Sequence, residues 1–191
     1  HFLRKRALDS AAVIGDGRYL YKLGGMKAQN AAGQPTELRS VAFAERFDPT
    51  RNRWEPLPSL PEPRSSHQVA IVGSTLYVVG GWGLEGGMND NTWRDTMLTA
   101  DLNQPTLTWT SVKVPFQVRA HGLVAHGNAL YVLGGLAPEG STDAVHRYDI
   151  ASGQWSDGPA LPDDNMTARG AVWRGQLYAN GADGKIYRLS A

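Results

Sequence analysis

The richest chemistry in the chain lies in one stretch, Trp82 to Asp95, which reads WGLEGGMNDNTWRD. It carries two indoles, Trp82 and Trp93, an acid at Glu85, an oxygen-rich cluster at Asn89, Asp90 and Asn91, and the pair Arg94-Asp95. An exposed indole beside acids and a guanidinium suits a sugar ring or a partner side chain, because it joins apolar area to orienting hydrogen bonds. The oxygen cluster lacks the regular spacing and closing Glu of an EF-hand loop, so no metal is assigned to it. Arg64, Arg119 and Arg169 form a second set that recurs along the chain. A ring of guanidinium forks is suited to a carboxylate or another anion. Recurrence also argues for a structural role, since a residue repeated in every unit is tied to the unit itself. His67 and His121 recur in the same way, each ten residues before a tyrosine, and read as structural residues rather than a metal pair.

Other chemistries are excluded. There is no cysteine, which removes disulfides, thiolate metal sites and thiol nucleophiles. No Ser/His/Asp signature, zinc spacing, phosphate loop or dinucleotide fingerprint is present. No catalytic residue and no cofactor are therefore assigned. The chain has 19 basic and 18 acidic residues and a net charge of +1, which gives no electrostatic case for nucleic acid or an anionic membrane. The basic cluster Arg4-Lys5-Arg6 reads as a solvated terminus. No apolar run approaches the ~20 residues of a membrane helix. A start at His1 fits a processed chain, and the compartment stays open between cytoplasm and export.

The elements that position these residues are set by a repeat. YLYKLGG at 19–25, TLYVVGG at 75–81 and ALYVLGG at 129–135 are nearly superimposable, and QLYANG at 176–181 is a weaker copy. After each of the first three comes an Asp (Asp48, Asp101, Asp149), a turn, and a tryptophan (Trp54, Trp109, Trp155). The apolar runs suit strands in a twisted sheet. The paired glycines end a strand where side chains cannot fit or φ turns positive.

These features resemble the kelch repeat, and the resemblance covers nearly the whole chain. It implies an all-β, kelch-type β-propeller of about four four-stranded blades, spanning residues 1–191 as a single domain. The repeats run approximately 7–57, 64–114, 119–157 and 169–191, and residues 1–6 are the candidate closing strand for the last blade. Kelch proteins commonly have six or seven blades. Three architectures therefore stay open: a closed ring, an open arc that self-associates with a second chain, and part of a larger propeller. With the four strands of a blade lettered a to d from the inside outward, their antiparallel order puts the b–c and d–a connections on one face and the short a–b and c–d turns on the other. Long varied loops carry function, so the long-loop face is the expected site, with Trp82, Glu85, Asp90, Trp93 and Arg94 at its centre and Arg64, Arg119 and Arg169 around the channel. Trp54, Trp109 and Trp155 are expected to be substantially buried between blades. The leading function is a non-catalytic module that binds a protein or a glycan. The alternative is a sugar-anomer isomerase resembling the sialic acid mutarotases among bacterial kelch propellers. It would pair one of the arginines with Glu85, Asp90 or Glu139 as acid or base. A copper radical oxidase of the galactose oxidase kind needs a cysteine and is excluded.

Overall fold

The computed structural model describes residues 9–87 and 90–189, and among them it contains 19 strands and no helix. The first repeat supplies β1 (Ala12–Gly15), β2 (Leu20–Leu23), β3 (Met26–Ala28), β4 (Leu38–Ser40), β5 (Ala44–Asp48) and β6 (Arg53–Pro56). The second supplies β7 (Gln68–Val72), β8 (Thr75–Val79), β9 (Trp82–Gly86), β10 (Asn91–Trp93), β11 (Thr96–Asp101) and β12 (Thr110–Lys113). Then come β13 (Gly122–His126), β14 (Ala129–Ala137), β15 (Gly140–Asp149) and β16 (Gln154–Asp157), and finally β17 (Gly170–Trp173), β18 (Gln176–Asn180) and β19 (Ile186–Leu189).

Four of the five sheets are blades, ordered β1-β2-β5-β6, β7-β8-β11-β12, β13-β14-β15-β16 and β17-β18-β19. The innermost strands β1, β7, β13 and β17 lie side by side in that order. This is the propeller arrangement that the repeat predicts.

Each part of the repeated motif has a visible task. The Asp after strand c closes the c–d hairpin: Asp48 Oδ1 accepts from the Thr50 amide at 2.9 Å, Asp101 from Asn103 at 3.0 Å and Asp149 from Ser152 at 2.9 Å. A short carboxylate that captures an amide two or three residues on stabilises a tight turn. The paired glycines join blades. Gly25, Gly81 and Gly135 donate their amides to the carbonyls of Arg64, Val118 and Asn165 on the following repeat, at 2.8–2.9 Å. The glycine before each lies so close to that same carbonyl that a Cβ on Gly80 would stand 2.4 Å from the Val118 oxygen.

Three apolar clusters fill the spaces between blades. Leu23 and Ala44 of blade 1 meet Leu76, Val78 and Leu98 of blade 2. Tyr77, Val79 and Met97 meet Leu130 and Val132. Tyr131, Leu133 and Val145 meet Leu177, Ala179 and Leu189. Trp109 and Trp155 pack on the first two clusters from the outermost strands, and Trp54 rests on Phe47 with ring centroids 5.3 Å apart. All three tryptophans are half-buried rather than substantially buried, because they lie at the rim of the wedge. Trp109 also donates its indole N–H to the Pro58 carbonyl at 2.9 Å.

Among the described residues, the first and last blades carry exposed apolar side chains, including Val13, Leu20, Trp173 and Ile186. Leu20 is 45% exposed, whereas Leu76 and Leu130 at the same register in the next blades are 0% exposed. Residues 1–6, expected to close the last blade, lie outside the described residues.

Candidate functional site

The long-loop face departs from the sequence expectation in one major respect. The segments Met26 to Arg39 and Trp82 to Asp95, read as loops, are hairpins that join across two blades. They form a fifth sheet, ordered β10-β9-β4-β3. Its central seam is short, pairing Leu38 with Gly86 and Arg39 with Glu85. Ser40 pins it from below: its hydroxyl bonds the Ser65 hydroxyl at 2.8 Å and accepts from the Leu84 amide at 3.0 Å. Among the described residues the β14–β15 hairpin of the third blade joins no second sheet.

Trp82 is buried at the base of this sheet and is 5% exposed, so it is not the open platform expected. Arg119 covers it. The guanidinium carbon sits 3.8 Å from the Trp82 ring centroid and 5.5 Å from that of Trp93. The two indoles lie 5.9 Å apart. Arg119 is partly buried, its Nε is fully covered with no hydrogen-bond partner, and burial pulls its pKa below the usual arginine value. Among the described residues no carboxylate pairs with it. Trp93 is half-exposed beside it, while Glu85 and Asp90 are exposed on the hairpin, whose turn is closed by the Glu85 amide donating to the Asp90 carbonyl. Asn89 lies outside the described residues. Arg94 turns away: its Nε and Nη2 donate to the Pro63 carbonyl at 3.1 and 2.8 Å.

The expected ring of equivalent arginines does not form. The interblade glycine bonds align Arg64 with Val118 and Asn165. Arg119 aligns instead with Ser65, since Ser65 bridges Trp82 as Arg119 bridges Leu136. Arg64 is completely buried and structural. Its Nη1 donates to the carbonyls of Gly80 and Thr96 at 3.3 and 3.2 Å, and its Nη2 to Thr96 Oγ1 at 2.9 Å and Glu62 at 3.3 Å. Arg169 is exposed, but its Nη1 is occupied by the carbonyls of His121 and Ala168 at 3.0 and 2.7 Å. Of the three, Arg119 alone offers a guanidinium without a protein hydrogen bond among the described residues. The acids Glu85, Asp90 and Glu139 make no hydrogen bond to any of these arginines there.

His67 and His121 occupy equivalent positions and are fully buried. Each ring packs against a glycine of the preceding blade, Gly24 and Gly80. Burial, reinforced by nearby cationic groups, pushes both pKa values down to about 3. They are interblade packing residues, as their recurrence suggests.

Comparison with known proteins places this architecture. The family profile described as the KLHDC2/KLHL20/DRC7 Kelch-repeats domain matches residues 3–172. Kelch-like protein 35 of Mus musculus is 32% identical over 150 residues, covering 78% of this chain and 24% of that protein. Kelch-like protein 34 of Homo sapiens is 34% identical over 142 residues, covering 71% and 22%. Alpha-scruin of Limulus polyphemus is 26% identical over 140 residues, covering 71% and 15%. The chain thus spans a quarter or less of the length of these relatives. The solved structure of YjhT superposes with a TM-score of 0.76 over 93% of this chain and 60% of that one, at 16% identity, a likeness of fold. The repeat motif, the blade topology and the family match agree, and the chain belongs to the kelch-repeat family.

Proposed function

We propose that the chain is a non-catalytic binding module. Its repeats, 7–57, 64–114, 119–157 and 169–191, form one domain that holds a segment of a partner protein on the long-loop face. The carrying observation is Arg119: a partly desolvated guanidinium, stacked on Trp82 and Trp93, with no carboxylate partner among the described residues. Desolvating a cation without pairing it is costly. A ligand carboxylate that restores a charge-assisted bond recovers part of that cost. Trp93, Glu85 and Asp90 give the rim an aromatic surface and acceptors for a partner's amides. Burial of Trp82 favours a protein segment over a sugar, because the stacking platform a sugar ring needs is covered by Arg119.

The test is selection of a displayed random peptide library against the chain, followed by affinity measurement on Arg119→Ala and Arg119→Lys. Selected peptides should carry a carboxylate and bind Arg119→Ala at least tenfold more weakly. Arg119→Lys should retain part of the affinity. Peptides that bind all three forms equally would sink the proposal.

A further inference from the structure

A second site lies radially outward on the same face, between blades 2 and 3. It is a cleft of about 520 Å3, walled by Val114–Val118 on one side and by the β14–β15 hairpin on the other. We infer that this cleft receives an arginine side chain from a partner.

This junction differs from its neighbour in what fills it. The interblade glycine bonds align Val118 with Arg64 and Gly134 with Gly80. The strand register pairs Met97 with Val79 and Val145 with Leu133, which aligns Ala144 with Thr96. Between blades 1 and 2 the corresponding space is filled from within by the Arg64 guanidinium, bonded to the Gly80 carbonyl, to the Thr96 carbonyl and hydroxyl, and to Glu62. Between blades 2 and 3 every participant is smaller or apolar. Val118 replaces the arginine, Ala144 replaces the threonine, and Phe116 stands where Glu62 stands. At the third junction Asn165 fills the same position and donates to the Asn180 carbonyl at 2.9 Å. Among the described residues, the junction between blades 2 and 3 is the one of these three without a polar side chain at this position.

Gly134 and Ala144 line the cleft at an irregularity of the β14–β15 ladder, between Leu133 and Gly135. Their carbonyls correspond to those that hold Arg64. Glu139 lines the cleft and makes no ion pair among the described residues, and Gln117 adds an amide. Phe116 stacks on His146 with centroids 4.2 Å apart and planes 5° from parallel, a wall against which a planar guanidinium packs well. Nearby, Asp95 is held by Lys113 at 2.5 Å, and His146 Nδ1 lies 3.2 Å from Asp157 Oδ1. A lysine, with one point charge, would not span the two carbonyls as a guanidinium fork does.

The partner as source of the arginine rests on the protein-binding reading of this face. The cleft itself is tested apart from that reading by a small probe, Nα-acetylarginine amide, titrated into the 15N-labelled chain. Saturable amide shifts are expected at Phe116, Gln117, Gly134 and Ala144, with Nα-acetylcitrulline amide giving none. Glu139→Gln should weaken the arginine probe about fivefold, as loss of an exposed ion pair does. Val118→Arg with Ala144→Thr fills the cleft from within and should abolish binding. If that double variant does not fold, Glu139→Gln decides. Shifts that are scattered or unsaturable, an equal response to citrulline, or unchanged affinity in Glu139→Gln would overturn the inference, and none of these outcomes bears on Arg119.

Discussion

Acidification should loosen the blades well before the carboxylates titrate. His67 and His121 are fully buried between blades, and both pKa values fall from 6.5 to about 3. The Leu23 backbone opposes the shift of His67 only weakly, since neither ring nitrogen reaches hydrogen-bonding geometry. A folded-state pKa below the unfolded one means that the unfolded chain binds the extra proton first. Stability is therefore full above pH 6.5 and falls as pH drops from 6.5 toward 3. At pH 5 each histidine costs about 2 kcal/mol, and the pair about 4 kcal/mol. That is a large share of a typical domain stability of about 5–15 kcal/mol. The turn carboxylates Asp48, Asp101 and Asp149 have lowered pKa values. Their contribution is lost only below their ordinary value of 3.8, a separate window. The assay is urea unfolding at pH 7.5, 6.5, 5.5 and 5.0. The midpoint should fall steeply across this range, and His121→Leu should remove about half of the slope whatever it does to stability at pH 7.5. A flat profile from pH 7.5 to 5, or an unchanged slope in the variant, would mean that the buried histidines do not govern the acid sensitivity.

Three further outcomes follow from the packing. Leu76→Ala and Leu130→Ala should each cost about 2–5 kcal/mol by cavity formation, whereas Leu20→Ala at the same register, where the side chain is 45% exposed, should cost under about 1 kcal/mol in the same denaturation assay. Gly73→Ala, at φ 58 with open space around it, should cost about 1–2 kcal/mol. Gly80→Ala should cost clearly more, since its new Cβ meets the Val118 oxygen at 2.4 Å. Arg64→Ala should cost about 3–5 kcal/mol by stranding buried carbonyls and Glu62, while Arg119→Ala should cost about 1 kcal/mol or less. Equal losses at the two arginines by thermal or urea unfolding would contradict their division into a structural and a binding residue.

The blades are legible in the sequence because their signals are local. Runs such as Leu76 to Val79, the paired glycines and the Asp turns each reflect short-range demands. The fifth sheet is hidden because β4 has only three residues, β9 carries two glycines, Gly83 and Gly86, and the two strands pair with each other across different blades. Nothing within WGLEGG itself specifies pairing with Leu38 and Arg39. The spacing of the arginines already separates them. Arg64 stands thirteen residues before Tyr77, Arg119 twelve before Tyr131 and Arg169 nine before Tyr178, whereas His67 and His121 keep a constant ten. Aligning on the histidines separates Arg119 from Arg64. The burial of Trp82 follows from Arg119 reaching across from the next blade, a contact between residues 37 positions apart in the chain.

The most direct test of the binding face is the chemical-shift footprint of a selected peptide on the 15N-labelled chain. Shifts are expected to concentrate at Arg39, Glu85, Asp90, Trp93 and Arg119, with the opposite turns at Gly73-Ser74, Gly127-Asn128 and Ala151 to Gly153 unmoved. A footprint centred on those turns, with Trp93 and Arg119 silent, would contradict this placement of the binding face.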